Sequence, residues 1–278
     1  MKQGTISNQI SIVWNRLPLV IRAVFTGLIV SSIGIAIWTF MFLKITAPWS
    51  VIPMIIALWA YLKNFSGSRR ATKLSPSVWK RSITAALLFV IIVQASFVIT
   101  FRLVEFPAEK FTADYKILDK MPSWIAFTVI IMSSIVAGIC EETGFRGYMQ
   151  APLEKKYGPP GAIIITSVIF MLIHLSHSWA FPILPHIFFA SVLLGILAYK
   201  TGSLIPGIVG HSILDIFDYS VWWSNITGGF HMRTIFKTGI DLHFIVWNLV
   251  FIFALFVFFR LIKTVPERQW RKPCLSLE

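Results

Sequence analysis

Apolar residues in this chain come in long unbroken stretches, with polar residues gathered between them. Residues 124–140 form one such stretch, seventeen positions without a charge. A membrane-spanning helix needs about 20 mostly apolar residues. Eight segments answer to that description, at roughly 23–43, 45–62, 82–101, 123–142, 161–177, 183–199, 204–220 and 243–262. The second follows Lys44 directly and contains Pro48 and Pro53, and the sixth and seventh are short. Transmembrane strands would alternate apolar and polar positions in short segments. Continuous runs instead predict an all-α fold, a polytopic transmembrane helical bundle of about eight spans. No internal repeat is visible, so residues 1–278 read as a single membrane domain.

Composition sharpens this picture. The chain is 56% hydrophobic and 13% charged, against about 25% charged in a soluble domain. Its net charge of +13 arises from 25 Lys and Arg against 12 Asp and Glu. With the N-terminus inside, the inner segments hold eighteen Lys and Arg and the outer ones seven. That asymmetry predicts an even number of spans and two cytoplasmic termini. Loop 63–81 has six positive residues and no acid, as suits a cytoplasmic or lipid-facing loop, whereas loop 102–122 has four of each sign. The excess charge is read as facing anionic lipid. A nucleic-acid partner is excluded, because no soluble domain exists to carry a basic face. The two cysteines, Cys140 and Cys274, imply no disulfide framework, and Cys274 stands one position too far from the end for a prenylation box. The first apolar run is read as retained, since no compact signal peptide precedes it. The expected location is a bacterial-type plasma membrane.

Polar chemistry is concentrated in residues 137–218. The first three spans carry little beyond Ser, Thr and Gln94 and read as lipid-facing or packing helices. Ionised groups are expensive at membrane depth, so intramembrane acids are functional candidates. Glu141 and Glu142 close the fourth apolar run, with Arg146 four residues on. The fourth helix can run to about residue 157, with a kink near Pro152, and Gly158-Pro159-Pro160 breaks it. Glu141 lies 17 residues before Gly158, and His174 lies 14 after Pro160. Both then sit about 21–25 Å from the turn, and an antiparallel pair brings them level. His211 lies about 10 Å into the seventh span, with Asp215 on the same face one turn deeper. These four groups can converge near the cytoplasmic side.

Glu141 and Glu142 point about 100° apart on a helix and cannot share a role. Glu142 and Arg146, at i,i+4 with the acid first, suit an ion pair. Glu141 is left to face His174 as general base, with the opposite assignment open because helix rotation is not read from sequence. Ala137 and Gly138, on Glu141's face, serve either close helix approach or room for a substrate. His177, three residues after His174, is a candidate supporting partner. His186, His231 and His243 read as hydrogen-bonding groups between helices, Asp218 as interfacial, and Trp222 and Trp223 as interface anchors.

Three motifs in order, Glu141-Glu142-x-x-x-Arg146, Phe170-x-x-x-His174 and His211-x-x-x-Asp215, resemble the pattern of the CPBP intramembrane proteases, the group that includes type II CAAX prenyl endopeptidases and Abi-like proteins. The resemblance covers roughly residues 120–220, the expected catalytic core. It implies that Glu141 and His174 activate the attacking water, and that His211 and the residue four later bind or polarise the scissile carbonyl. Prenyl-processing members typically carry Asn at that later position. Asp215 cannot donate when ionised, so here it orients His211 or ligates a metal. Thr143 stands where Asn often follows the acidic pair. Glu141, His174, His211 and Asp215 are also the candidate metal ligands, since two His and a carboxylate suit zinc. A metal-free route needs no further assumption, and both remain open.

The expected function is therefore an intramembrane endopeptidase. Its substrate would be a membrane-associated peptide or protein, and its site would open to the cytoplasmic side. A proton-coupled transporter would use similar acids and imidazoles, but many such proteins show internal repeats, whereas the polar residues here form one block. A non-catalytic membrane scaffold, such as an immunity protein, is the other alternative.

Overall fold

The computed structural model describes residues 11–42, 51–65, 69, 71, 73–113, 116–224 and 233–266. Among these the fold is helical, without strands. A helix stands at each of the eight apolar segments. They are α1 (Leu19–Phe42), α2 (Val51–Phe65), α3 (Trp79–Leu103), α4 (Ser123–Glu141), α5 (Ala151–Ile173), α6 (Leu184–Thr201), α7 (Ile205–Ser224) and α8 (Leu242–Lys263). Five helical stretches are long and apolar enough to cross a membrane: Leu19–Trp38, Trp79–Leu103, Ser123–Ser176, Phe181–Thr201 and Leu242–Lys263. Lys44, Pro48, His231, the Trp222 side chain and Cys274 lie outside the described residues.

The Ser123–Ser176 stretch contains a hairpin. Gly158 has φ 70° and ψ 166°, a conformation that a side chain would strain, and Pro159 and Pro160 follow it without N–H donors. The reversal thus falls where the sequence predicts it. Just before Pro152, which has no N–H to offer the preceding turn, residues Glu142–Gln150 form a π-helix between α4 and α5.

Helix exteriors follow their surroundings. One face of α8 leaves Leu249, Ile252, Phe253 and Phe256 exposed, as a hydrocarbon solvent permits. Its inner face buries Ala254, Phe258 and Ile262 against α3 and α6. The most extensive helix contacts pair α3 with α8, α4 with α7, α1 with the π-helix and α5 with α6. Small residues let α4 and α7 approach closely. A Cβ on Gly138 would come 2.4 Å from Ser212 Oγ, and one on Gly207 would come 2.7 Å from Glu142 Oε2. Gly138 therefore serves helix approach rather than substrate room.

Candidate active site

The π-helix carries the acidic motif into the protein interior. All nine of its residues are buried, and Glu142, Arg146 and Gln150 have no exposed surface. With Glu154 they recur every fourth residue and form a continuous polar row. Arg146 Nη1 lies 3.1 Å from Glu142 Oε1, as the i,i+4 spacing predicts. Its Nη2 donates to Ser191 Oγ (2.8 Å) and to the Ser191 carbonyl (3.1 Å) on α6. The guanidinium also lies 4.9 Å from the centre of the Phe170 ring, a cation–π distance. Gln150 Nε2 donates to Glu154 Oε1 (2.8 Å) and to the Gly195 carbonyl (3.0 Å).

One member of this row comes from far away in sequence. Arg69, read from the sequence as one of several solvated or lipid-facing charges, is fully buried. Its Nη1 donates to the Arg146 carbonyl at 2.6 Å, and Nη2 pairs with Glu154. Burial lowers the pKa of this guanidinium, and Glu154 opposes that shift. No sequence pattern distinguishes Arg69 from Arg70 or Lys73, since its burial depends on a contact made across 77 residues.

His211 is the junction of the site. Its Nδ1 lies 3.1 Å from Glu142 Oε1. An ionised carboxylate only accepts, so Nδ1 carries the proton. Glu142 therefore fixes the imidazole as well as pairing with Arg146. The other nitrogen, Nε2, is flanked by Glu141 Oε2 at 3.9 Å and by Asp215 Oδ2 at 3.8 Å. Asp215 stands with Glu141 on the Nε2 side of His211. Glu141 Oε2 is buried and makes no hydrogen bond among the described residues.

His174 arrives from the end of α5. Its Nδ1 donates to the Phe170 carbonyl at 2.7 Å, which leaves Nε2 as the acceptor of the neutral ring. The Phe170 ring stands between the two imidazoles, 4.6 Å from His174 and 6.2 Å from His211 between ring centres. No hydrogen bond or ion pair joins Glu141 to His174 directly among the described residues, and the expected encounter across a water is left open. His177 stacks on Trp179, 5.0 Å between centres.

A cavity of about 110 Å³ adjoins the site, lined by His174, His211 and Asp215 among aromatic and aliphatic walls. Among its lining residues, Phe111 packs edge-on against Trp179 (5.0 Å) and is stacked near Tyr219 (6.0 Å). The cavity lining comes from the 174–183 connection, the short helix Ala108–Ala113, the first half of α6 and the later parts of α3 and α7. That is the half of the bundle opposite the Gly158 turn.

One expectation changes beside the cavity. Asp218 is not merely interfacial: it lines the cavity and accepts from Gln94 Nε2. His186 also lines the cavity and lies 3.1 Å from Ser96 Oγ, a contact between helices as the sequence suggested. His243 contacts Arg102 (3.3 Å) and Trp247 (3.0 Å). Trp223 donates to Asp119 at 3.1 Å.

The four candidate ligands have the donor chemistry of a zinc site. Among the described residues no group of three or more His, Cys, Asp or Glu is arranged to hold a metal ion.

Residues 122–217 match the family model Rce1-like, described as type II CAAX prenyl endopeptidase Rce1-like. This is the group that the three motifs resemble, and the match covers all three. No curated protein and no solved structure matches the chain. A protease-family match together with several apolar helices describes an integral membrane protein of protease type, with a peptide or protein substrate.

Proposed function

We propose that this protein is an intramembrane endopeptidase in which Glu141 activates a water for attack on a peptide bond. The observation that carries this reading is the pair of carboxylate oxygens, Glu141 Oε2 and Asp215 Oδ2, at 3.9 and 3.8 Å from His211 Nε2, beside an apolar cavity. Glu141 takes a proton from water as the oxygen attacks the carbonyl carbon. His174, through Nε2, helps to hold that water. His211, fixed by Glu142 at Nδ1, meets the developing oxyanion through a protonated Nε2, the type of preorganised donor that contributes most to acyl-transfer catalysis. Collapse of the tetrahedral intermediate breaks the C–N bond, and Glu141 returns its proton to the leaving amine.

The substrate segment occupies the cavity. By the charge asymmetry of the loops, the end of the bundle that holds this cavity faces away from the cytoplasm. In this reading a membrane-associated peptide or protein presents its scissile bond from that side, in place of the cytoplasmic opening expected from sequence. The test compares new protein N-termini in membranes that contain wild type or Glu141→Gln. Termini found only with wild type support the hydrolase. Their persistence in Glu141→Gln would falsify the assignment of the base. Metal analysis of the purified protein, with activity measured before and after chelation, tests the metal-free route separately.

A further inference from the structure

Asp218 is a cavity-lining acid that the hydrolytic cycle does not use. His211, Asp215 and Asp218 are at i, i+4 and i+7 of α7 and share one helix face. The cavity extends along that face from His211 to Tyr219. Gln94, the one amide in the first three predicted spans, reaches from α3 and donates to Asp218 Oδ1. A carboxylate in apolar surroundings with a neutral donor is costly to keep ionised, and a cation offsets that cost best. Among the described residues that line the cavity there is neither Lys nor Arg. His211, which also lines the cavity, is already shared by Glu141, Glu142 and Asp215, so the compensating charge for Asp218 can come from an occupant.

Distance along the helix says which part of an occupant meets it. Seven helical residues separate His211 from Asp218, about 10 Å. An extended peptide advances about 3.3 Å per residue. A substrate strand lying along α7 with its scissile carbonyl at His211 therefore places its third residue from that bond at Asp218. We propose that Asp218, held by Gln94, is a specificity residue that selects a basic side chain three residues from the bond broken. This rests on the hydrolase reading above and names the substrate class it would act on.

The test sequences the termini generated in membranes by wild type, Glu141→Gln, Asp218→Asn and Asp218→Glu proteins. In sites that require Glu141, Lys or Arg should be enriched about tenfold at the third position on one side, the scale of a hydrogen bond to a charged group. Asp218→Glu should keep the enrichment, and Asp218→Asn should reduce it to background. Glu141-dependent sites without a basic preference at that position, or with one unchanged in Asp218→Asn, overturn the role of Asp218 and leave the hydrolase standing. If no terminus depends on Glu141, both proposals fall.

Discussion

Glu142 Oε1 accepts from His211 Nδ1 at 3.1 Å while lying 3.1 Å from Arg146 Nη1. A single oxygen thus couples the acidic motif on the π-helix to the imidazole of α7. The arrangement makes Glu142 a positioning residue, distinct from the base beside it. Glu142→Gln should lower kcat about 10- to 100-fold, the value of a hydrogen bond to a charged group, with KM little changed. A fall comparable to that of Glu141→Gln, with protonation dependence abolished, would instead make Glu142 the base. Steady-state kinetics of both variants on one substrate decide between them.

Arg69 should prove as important to the fold as any residue of the motif. Removing one partner of a buried ion pair costs about 3–5 kcal/mol, and Arg69→Ala leaves Glu154 without its cation and the Arg146 carbonyl without its donor. The melting temperature in detergent should fall sharply for Arg69→Ala. The double variant Arg69→Met with Glu154→Leu should recover part of that loss, because it leaves no unpaired charge behind. Equal melting temperatures for Arg69→Ala and wild type would contradict the buried contact.

Gly207 is needed for what stands opposite it rather than for its backbone. An added Cβ would meet Glu142 Oε2 at 2.7 Å, so Gly207→Ala should push the carboxylate off His211 and reduce turnover. Gly138→Ala meets Ser212 and α7 backbone and should cost about 1–3 kcal/mol, as overpacking does. Thermal melts and turnover, measured together on the two variants, should show the larger activity loss per degree of destabilisation for Gly207→Ala.

A second polar tie closes the bundle end near the cavity. Arg102, buried at the end of α3, donates from Nη1 and Nη2 to the two oxygens of Asp241 at 3.1 and 2.8 Å. Asp241 also caps α8, accepting from the Phe244 amide at 2.9 Å. The Arg102 hydrogen bonds, followed by that amide, hold its pKa down at about 2. Because the folded value lies below the unfolded one of about 3.9, this tie stabilises fully above that pH and is lost as pH falls toward 2. Asp241→Asn should therefore melt below wild type at neutral pH, and the difference should shrink between pH 4 and pH 2. A gap that does not depend on pH would remove the carboxylate from the account.

Topology is open to direct labelling. Single cysteines replacing Lys155, near the Gly158 turn, and Ser178, in the exposed connection beside the cavity, stand at opposite ends of the bundle. An impermeant thiol reagent applied to intact cells should label the Ser178 variant and spare the Lys155 variant. The reverse pattern would place the cavity on the cytoplasmic side.

Hydrophobic run length and the Gly158-Pro159-Pro160 breaker determined, from sequence alone, the helices and the reversal that brings α4 and α5 side by side, because both are local consequences of solvent and backbone chemistry. The i,i+4 spacing likewise foretold the Glu142–Arg146 pair. What required the tertiary structure was everything set by helix rotation and by contacts between distant segments. Glu142 turns to hold His211 as well as Arg146, Arg69 folds inward to reach the Arg146 carbonyl, and Asp218 faces a cavity rather than an interface. Spacing fixes how far along a helix a side chain lies. Which way it faces, and where space is left beside it, depends on packing summed over the whole bundle.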